Sequence, residues 1–212
     1  MYVVIVANSP TFEAAPFHGM LAQADLLIAV DGGGNALAAA GRVPQLVVGD
    51  LDSLTEAARQ QFAAAGAEIC RYPVAKDETD LELALLLAVK RAATSIDILG
   101  AFGGRWDQSL SNVALLALPE LAGIDVRLRE LDQTAWLVRD TSLIRGRIGD
   151  TVSLLPFGGP AHGITTQGLR WELQEASLPF ERSRGVSNVL EAAEARLRLS
   201  AGMLLIIHQH EP

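Results

Sequence analysis

The sequence predicts an α/β domain built on a mostly parallel sheet, followed by a small all-β sandwich. Three observations carry this. Through about residue 118, short β-branched or Leu-rich runs alternate with Ala-rich stretches of helical spacing, the pattern of repeated strand-helix units. After about residue 124 the pattern changes to short alternating strands, broken by Gly146, Gly149, Pro156, Gly158, Gly159, Pro160, Gly163, Gly168, Pro179, Gly185 and Gly202. Finally, 212 residues of which 50% are hydrophobic can bury the cores of two modest domains.

Taken in order, strands are expected at residues 3–7, 26–30, 46–48, 68–71 and 96–99, and helices at 35–40, 53–65, 79–93 and 107–118. Two helix starts are marked by a hydroxyl with a carboxylate three residues on, Ser53 with Glu56 and Thr79 with Glu82, which fit the capping box. Strands near 126–128 and 135–138 link the halves. The expected boundary is near Arg139, giving a domain of residues 1–138 and a second of 139–212. No internal repeat or low-complexity tract is present.

Composition narrows the function. A formal net charge of -8 argues against a broad nucleic-acid footprint, which needs clustered Lys and Arg. No apolar run reaches the roughly 18 residues of a membrane span. The first residues lack a basic region and a small-residue cleavage site, so a cytoplasmic location with no membrane partner is expected. Cys70 is expected as core filler. His208 and His210 lie two apart and could share a strand face and bind a metal, although an exposed strand end is the commoner meaning of such a pair.

Chemistry concentrates at the carboxyl ends of the predicted strands. Asp31-Gly32-Gly33-Gly34-Asn35, Gly49-Asp50-Leu51-Asp52-Ser53, Lys76-Asp77-Glu78-Thr79-Asp80 and the segment Gly100 to Asp107 each follow a strand. In an open parallel sheet these ends face one crevice, where ligands bind. Asp31, Asp50, Asp52, Asp77, Asp80 and Asp107 on one edge would repel unless a cation held them, and hard carboxylate oxygens suit Mg²⁺, which also takes ligands from nucleotide phosphates.

Each segment alone has a plainer meaning. Asp50 and Asp52 could be turn residues, Asp80 a partner of its helix dipole, Asp107 an N-cap, and Arg105 a surface charge. Consecutive glycines at 32–34 and 103–104 could serve turns alone, yet they also let a backbone approach phosphates closely. No P-loop is present, and Leu37 stands where a dinucleotide fingerprint needs its third glycine, so any ATP site is of another type.

In series, these loops resemble those of the thiamine pyrophosphokinases: residues 31–35, 49–53, 77–80 with the following Leu81-Glu82, and 103–107 with Asn112. Thr166-Gln167-Gly168-Leu169-Arg170-Trp171 and Val186-Ser187-Asn188 are similar to the second domain of that family, so the resemblance spans nearly the whole chain. It implies a homodimer with an ATP-binding α/β domain and a β-sandwich, with thiamine held where the subunits meet. It further implies pyrophosphoryl transfer from ATP to the thiamine hydroxyl, giving thiamine diphosphate and AMP.

By the same resemblance Asp50, Asp52 and Asp80 take the Mg²⁺ positions. Asp31, Gly32, Gly33, Asn35, Gly103, Gly104, Arg105 and Asn112 fall in the ATP site, and Trp171, Ser187 and Asn188 at or near the thiamine pocket. Asp50, Asp52, Asp77, Asp80, Arg105 and Asp107 are the catalytic candidates, with a general base open among Asp77, Asp80 and Asp107. Two departures stand out: Gln108 replaces the family's usual histidine, and Trp106 an aliphatic residue. A pterin pyrophosphokinase is the rival in the same reaction class. A phosphohydrolase with Asp50 as nucleophile and Asp52 as acid is the rival in another. A non-catalytic nucleotide sensor is the third.

Overall fold

The run Tyr2–Val6 forms β1, and from Val3 onward it is buried on both faces, as a strand interior to a parallel sheet must be. It is followed by α1 (His18–Gln23), β2 (Leu26–Val30), α2 (Gly33–Ala39), β3 (Leu46–Gly49), α3 (Glu56–Ala64), β4 (Glu68–Arg71), α4 (Asp80–Lys90), β5 (Ser95–Leu99), α5 (Trp106–Ala114) and β6 (Asp125–Arg129). The computed structural model describes residues 1–210. Strand order in this part is β6-β5-β1-β2-β3-β4, and every pairing is parallel. From β1 the chain winds outward through β2, β3 and β4, then returns to β5 on the opposite side of β1. The order therefore reverses between β1 and β5, which makes their carboxyl ends the crevice of the sheet.

Packing fixes the helices. Phe62, Leu37, Leu21 and Phe17 bury their side chains on Val4, Val6, Ala29 and Val47 of the sheet. The α4 helix begins where the sequence places it: the Thr79 hydroxyl accepts from the Glu82 amide at 3.2 Å. The α3 start differs. Its cap is Thr55, whose hydroxyl accepts from the Ala58 amide at 3.3 Å, whereas the Ser53 hydroxyl donates to Asp52. Sequence spacing alone could not separate two hydroxyls two residues apart. Cys70 also departs from expectation, lying half-buried on the edge strand β4 with its thiol toward Glu68.

The chain divides into two compact units, Met1–Arg129 and Glu130–Pro212. The division falls ahead of the Arg139 boundary expected from composition, because Gln133–Val138 forms β7 and pairs antiparallel along the length of β14 (Leu204–Gln209). The second unit continues with β8 (Thr141–Arg145), β9 (Thr151–Pro156), β10 (Ala161–Gln167), β11 (Ala176–Leu178), β12 (Asn188–Val189) and β13 (Glu194–Arg198). These form two antiparallel layers, β12-β9-β14-β7 and β11-β10-β13-β8. Inward residues of both, among them Trp136, Ile144, Val152, Ile164, Leu197 and Ile206, make one core. Trp136 keeps its indole N–H satisfied by donating to the Ser142 hydroxyl at 3.1 Å. Among the described residues no helix is long and apolar enough to cross a membrane.

Candidate active site

The strand reversal of the first unit opens into a cleft of about 490 Å³. Its walls come from Asn8, Ser9 and Pro10 after β1, Asp31 after β2, Lys76, Glu78 and Thr79 before α4 and Asp80 at its start, and the Gly100–Arg105 loop with Gln108 and Asn112. The loop's shape needs glycine. Gly103 and Gly104 have φ of +107° and +70°, and a Cβ on Gly103 would sit 2.8 Å from the Ser9 hydroxyl and 2.7 Å from that of Thr11. Asn112, buried on α5, donates its side-chain amide to the Ala101 carbonyl at 2.7 Å and so ties the loop to the helix behind it.

Acidic groups gather around Asp31, which lines this cleft. Asp31, Asp50 and Asp52 each bring a carboxylate oxygen within 4.8 Å of the others. Asp31 is only 7% exposed and holds a left-handed φ of +45°, a conformation that aspartate tolerates better than most residues. Burial pushes its carboxyl above the usual range, while hydrogen bonds from Ser53 and Gly32 pull it back. Gly49 stands between this group and Asp80: a Cβ there would lie 3.1 Å from Asp31 Cβ and 3.4 Å from Asp80 Cγ. Asp80 Oδ1 is buried and accepts no well-aligned hydrogen bond, although Lys76 Nζ lies 2.9 Å away. The contact is therefore an ion pair of poor hydrogen-bond angle.

The second unit holds its own pocket, of about 630 Å³, lined by Leu154, Trp171, Glu172, Leu173, Arg184, Gly185, Val186, Ser187 and Asn188. Asn188 grips the Trp171 backbone on both sides, accepting from its N–H at 3.1 Å and donating to its carbonyl at 2.8 Å. Trp171 is 58% exposed, so it is no core plug; that role belongs to Trp136, at 6%. The Arg170 guanidinium lies 5.8 Å from the Trp171 ring centre.

Two family models match the chain, one within each of its two units. Residues 17–128 match the family model described as thiamin pyrophosphokinase, catalytic domain, and residues 141–204 that of thiamin pyrophosphokinase, vitamin B1 binding domain. The chain belongs to the thiamin pyrophosphokinase family. It is 29% identical over 205 residues to thiamine pyrophosphokinase of Bacillus subtilis (strain 168), covering 96% of each chain. Thiamine pyrophosphokinase 1 of Oryza sativa subsp. japonica is 26% identical, over 97% of this chain and 86% of the relative. The crystal structure of the thiamine pyrophosphokinase from Bacillus subtilis superposes with a TM-score of 0.89 at 28% identity, covering 100% of both chains.

The residues expected from sequence divide into those that line a site and those that shape one. Asp31, Asp80, Gly103, Gly104, Arg105 and Asn112 line the cleft, and Trp171, Ser187 and Asn188 share the second pocket. Gly32, Gly33, Asn35, Asp50, Asp52, Asp77 and Asp107 do not line the cleft. Gly32 and Gly33 are packing positions, since a Cβ would meet the Asn8 side chain at 2.4 Å or the Val6 carbonyl at 2.3 Å. Asn35 holds the loop after β3 by donating to the Ser53 carbonyl and accepting from the Thr55 amide and hydroxyl. Asp77 is exposed, and Asp107 pairs with Arg105 at the surface, which holds its carboxyl below the usual range. Asp107 is not the cap of α5, which starts after Arg105 without a side-chain cap.

Asn8, Ser9 and Pro10 line the cleft without belonging to any motif in the sequence. Their one signal is position, directly after the strand that proves to be the switch point. His208, for which an exposed strand end is the commoner of the two sequence expectations, is instead 2% exposed, because β14 lies inside its sheet.

Proposed function

We propose that ATP binds in the cleft at the carboxyl ends of β1 and β5, that thiamine binds in the pocket around Trp171, and that the thiamine hydroxyl takes the pyrophosphoryl group to give thiamine diphosphate and AMP. The observation that carries this reading is that the cleft at the strand reversal is lined both by a glycine loop fit for phosphates and by Asp80 and Asp31, the latter grouped with Asp50 and Asp52 in a set of carboxylates fit for a divalent cation. In the transfer, the hydroxyl oxygen bonds to the β-phosphorus as the bond from that phosphorus to the α,β-bridging oxygen breaks. AMP departs with that oxygen, and the hydroxyl proton is released. No covalent enzyme intermediate is needed.

The chain's own work is alignment and charge compensation. Lys76 and Arg105 bring positive charge to the cleft wall, and the left-handed Gly103-Gly104 turn lets backbone approach the phosphates. The donor set fits Mg²⁺: the oxygens are hard, three carboxylates already lie together, and Asp80 presents a buried oxygen lacking a well-aligned donor. Asp31, Asp50 and Asp52, with Asp80 across Gly49, would hold it. When bound, Mg²⁺ supplies neutralisation of the phosphate charge.

In the second pocket Trp171 offers an indole face to the thiazolium cation, and Asn188 fixes the backbone from which that face projects. The family resemblance supports a homodimer as the working form, and sedimentation at assay concentrations is expected to give twice the chain mass. Measuring nucleotide products with and without thiamine tests the whole reading. AMP and thiamine diphosphate are expected, and only when both substrates are present. ADP with thiamine monophosphate as the main products, or AMP release that ignores thiamine, would refute it.

A further inference from the structure

A second group of possible metal ligands lies in the other unit, apart from every residue assigned above. His208, on β14, and His210, just after it, alternate with Gln209 and so turn their rings to the same side, with ring centres 4.2 Å apart. Asp150, ahead of β9, meets both. Its Oδ2 is 2.7 Å from His208 Nε2 and 3.8 Å from His210 Nδ1, and one ligand atom from each residue lies within 4.8 Å of the others. A tetrahedral ion with bonds of about 2.0 to 2.2 Å sets its ligand atoms roughly 3.4 Å apart, a spacing that 2.7 and 3.8 Å bracket.

We propose that Asp150, His208 and His210 form a binding site for a divalent transition ion of the Zn²⁺ class, which ties the carboxyl-terminal strand β14 to the turn leading into β9. Two imidazole nitrogens and one carboxylate oxygen suit such an ion, whereas Mg²⁺ favours all-oxygen sites. The surroundings already orient the ligands. The Arg147 amide donates to Asp150 Oδ2 at 2.9 Å, and Thr134 Oγ1 lies 3.4 Å from His210 Nε2, placed to accept from that nitrogen while Nδ1 faces the metal. Gly146 is required for the approach, since a Cβ there would sit 2.5 Å from Asp150 Oδ2 and 2.7 Å from His208 Nε2. The side chains of Asp150 and His208 are 1% and 3% exposed, but that of His210 is 43% exposed, which gives an ion access from solvent.

The test uses the full chain, stripped with a chelator and then titrated with Zn²⁺ against a chromophoric competitor in excess Mg²⁺, which saturates the carboxylate group of the first unit. One Zn²⁺ per chain is expected, together with a rise in Tm. His210→Ala, a change at an exposed side chain, should weaken Zn²⁺ at least about tenfold and abolish that rise, while the surface control His18→Ala should alter neither. Absence of stoichiometric binding by the unaltered chain, or equal affinity in His210→Ala, overturns the proposal and leaves His208–Asp150 as a plain hydrogen-bonded tie. Activity is not read, so the outcome is independent of the proposed reaction.

Discussion

Replacing Asn35 by alanine separates a residue that touches ATP from one that holds the acidic loop. The Asn35 amide donates to the Ser53 carbonyl at 2.8 Å, and its oxygen accepts from the Thr55 amide and hydroxyl, both at 2.9 Å. Hydrogen bonds contribute about 0.5 to 1.5 kcal/mol each, and these are exposed to competing water, so the low end applies and the three together give about 1.5 kcal/mol. For a chain of this size that lowers Tm by roughly 3 to 6 °C. The loop also carries Leu51 at φ +69°, a conformation costing a non-glycine residue about 1 to 2 kcal/mol, which the Asn35 bonds help to maintain. Released, the loop must be reordered whenever Asp50 and Asp52 bind a cation. A reordering cost of about 1 kcal/mol raises the Mg²⁺ concentration for half-maximal rate roughly fivefold. At saturating Mg²⁺ the ATP KM should stay within about twofold of the unaltered value. The assay is thermal unfolding together with initial rates over a Mg²⁺ series. An unchanged Tm and Mg²⁺ dependence with a tenfold higher ATP KM would refute the positioning role and return Asn35 to direct contact with the nucleotide.

Three further outcomes are expected. Asp50→Asn should nearly abolish turnover at limiting Mg²⁺ yet leave Tm equal or higher, because it removes repulsion among carboxylates within 4.8 Å of one another; wild-type rates at low Mg²⁺ would show that Asp50 holds no metal. Trp171→Ala should raise the thiamine KM roughly tenfold, from the upper part of the cation–π range, and shift Tm by no more than about 2 °C, since the side chain is 58% exposed; a large loss of Tm with unchanged thiamine KM would count against stacking. Gly103→Ala should raise the ATP KM while leaving that for thiamine unchanged, because φ of +107° and the Ser9 and Thr11 hydroxyls leave no place for a Cβ; kinetics like those of the unaltered chain would mean that this turn does not approach the nucleotide.

Thr79 caps α4 as its spacing to Glu82 predicts, and the strands from β1 to β5 lie close to the runs that mark them in the sequence. Structure departs from local pattern where two local choices compete or where the deciding neighbour is distant in sequence. Thr55 rather than Ser53 caps α3, because Asn35 engages Thr55, while the Ser53 hydroxyl donates to Asp52. The six residues of α1 give too little length for a helical period to show in the sequence.

By itself the sequence determined the α/β-then-β order, the polar loops at strand ends and the family to which they belong. Each of these is written in local composition, spacing and residue identity. Only tertiary structure decided which strands are neighbours, and hence that Asn8, Ser9 and Pro10 share a cleft with the Gly100–Arg105 loop across the β1/β5 reversal. It also decided that Trp136 fills the core while Trp171 faces a pocket, and that His208 lies buried against Asp150. The reason is physical. Periodicity tells which face of an element is apolar, but strand pairing brings together groups as far apart in the chain as His208 and Asp150, and no local pattern records that closure.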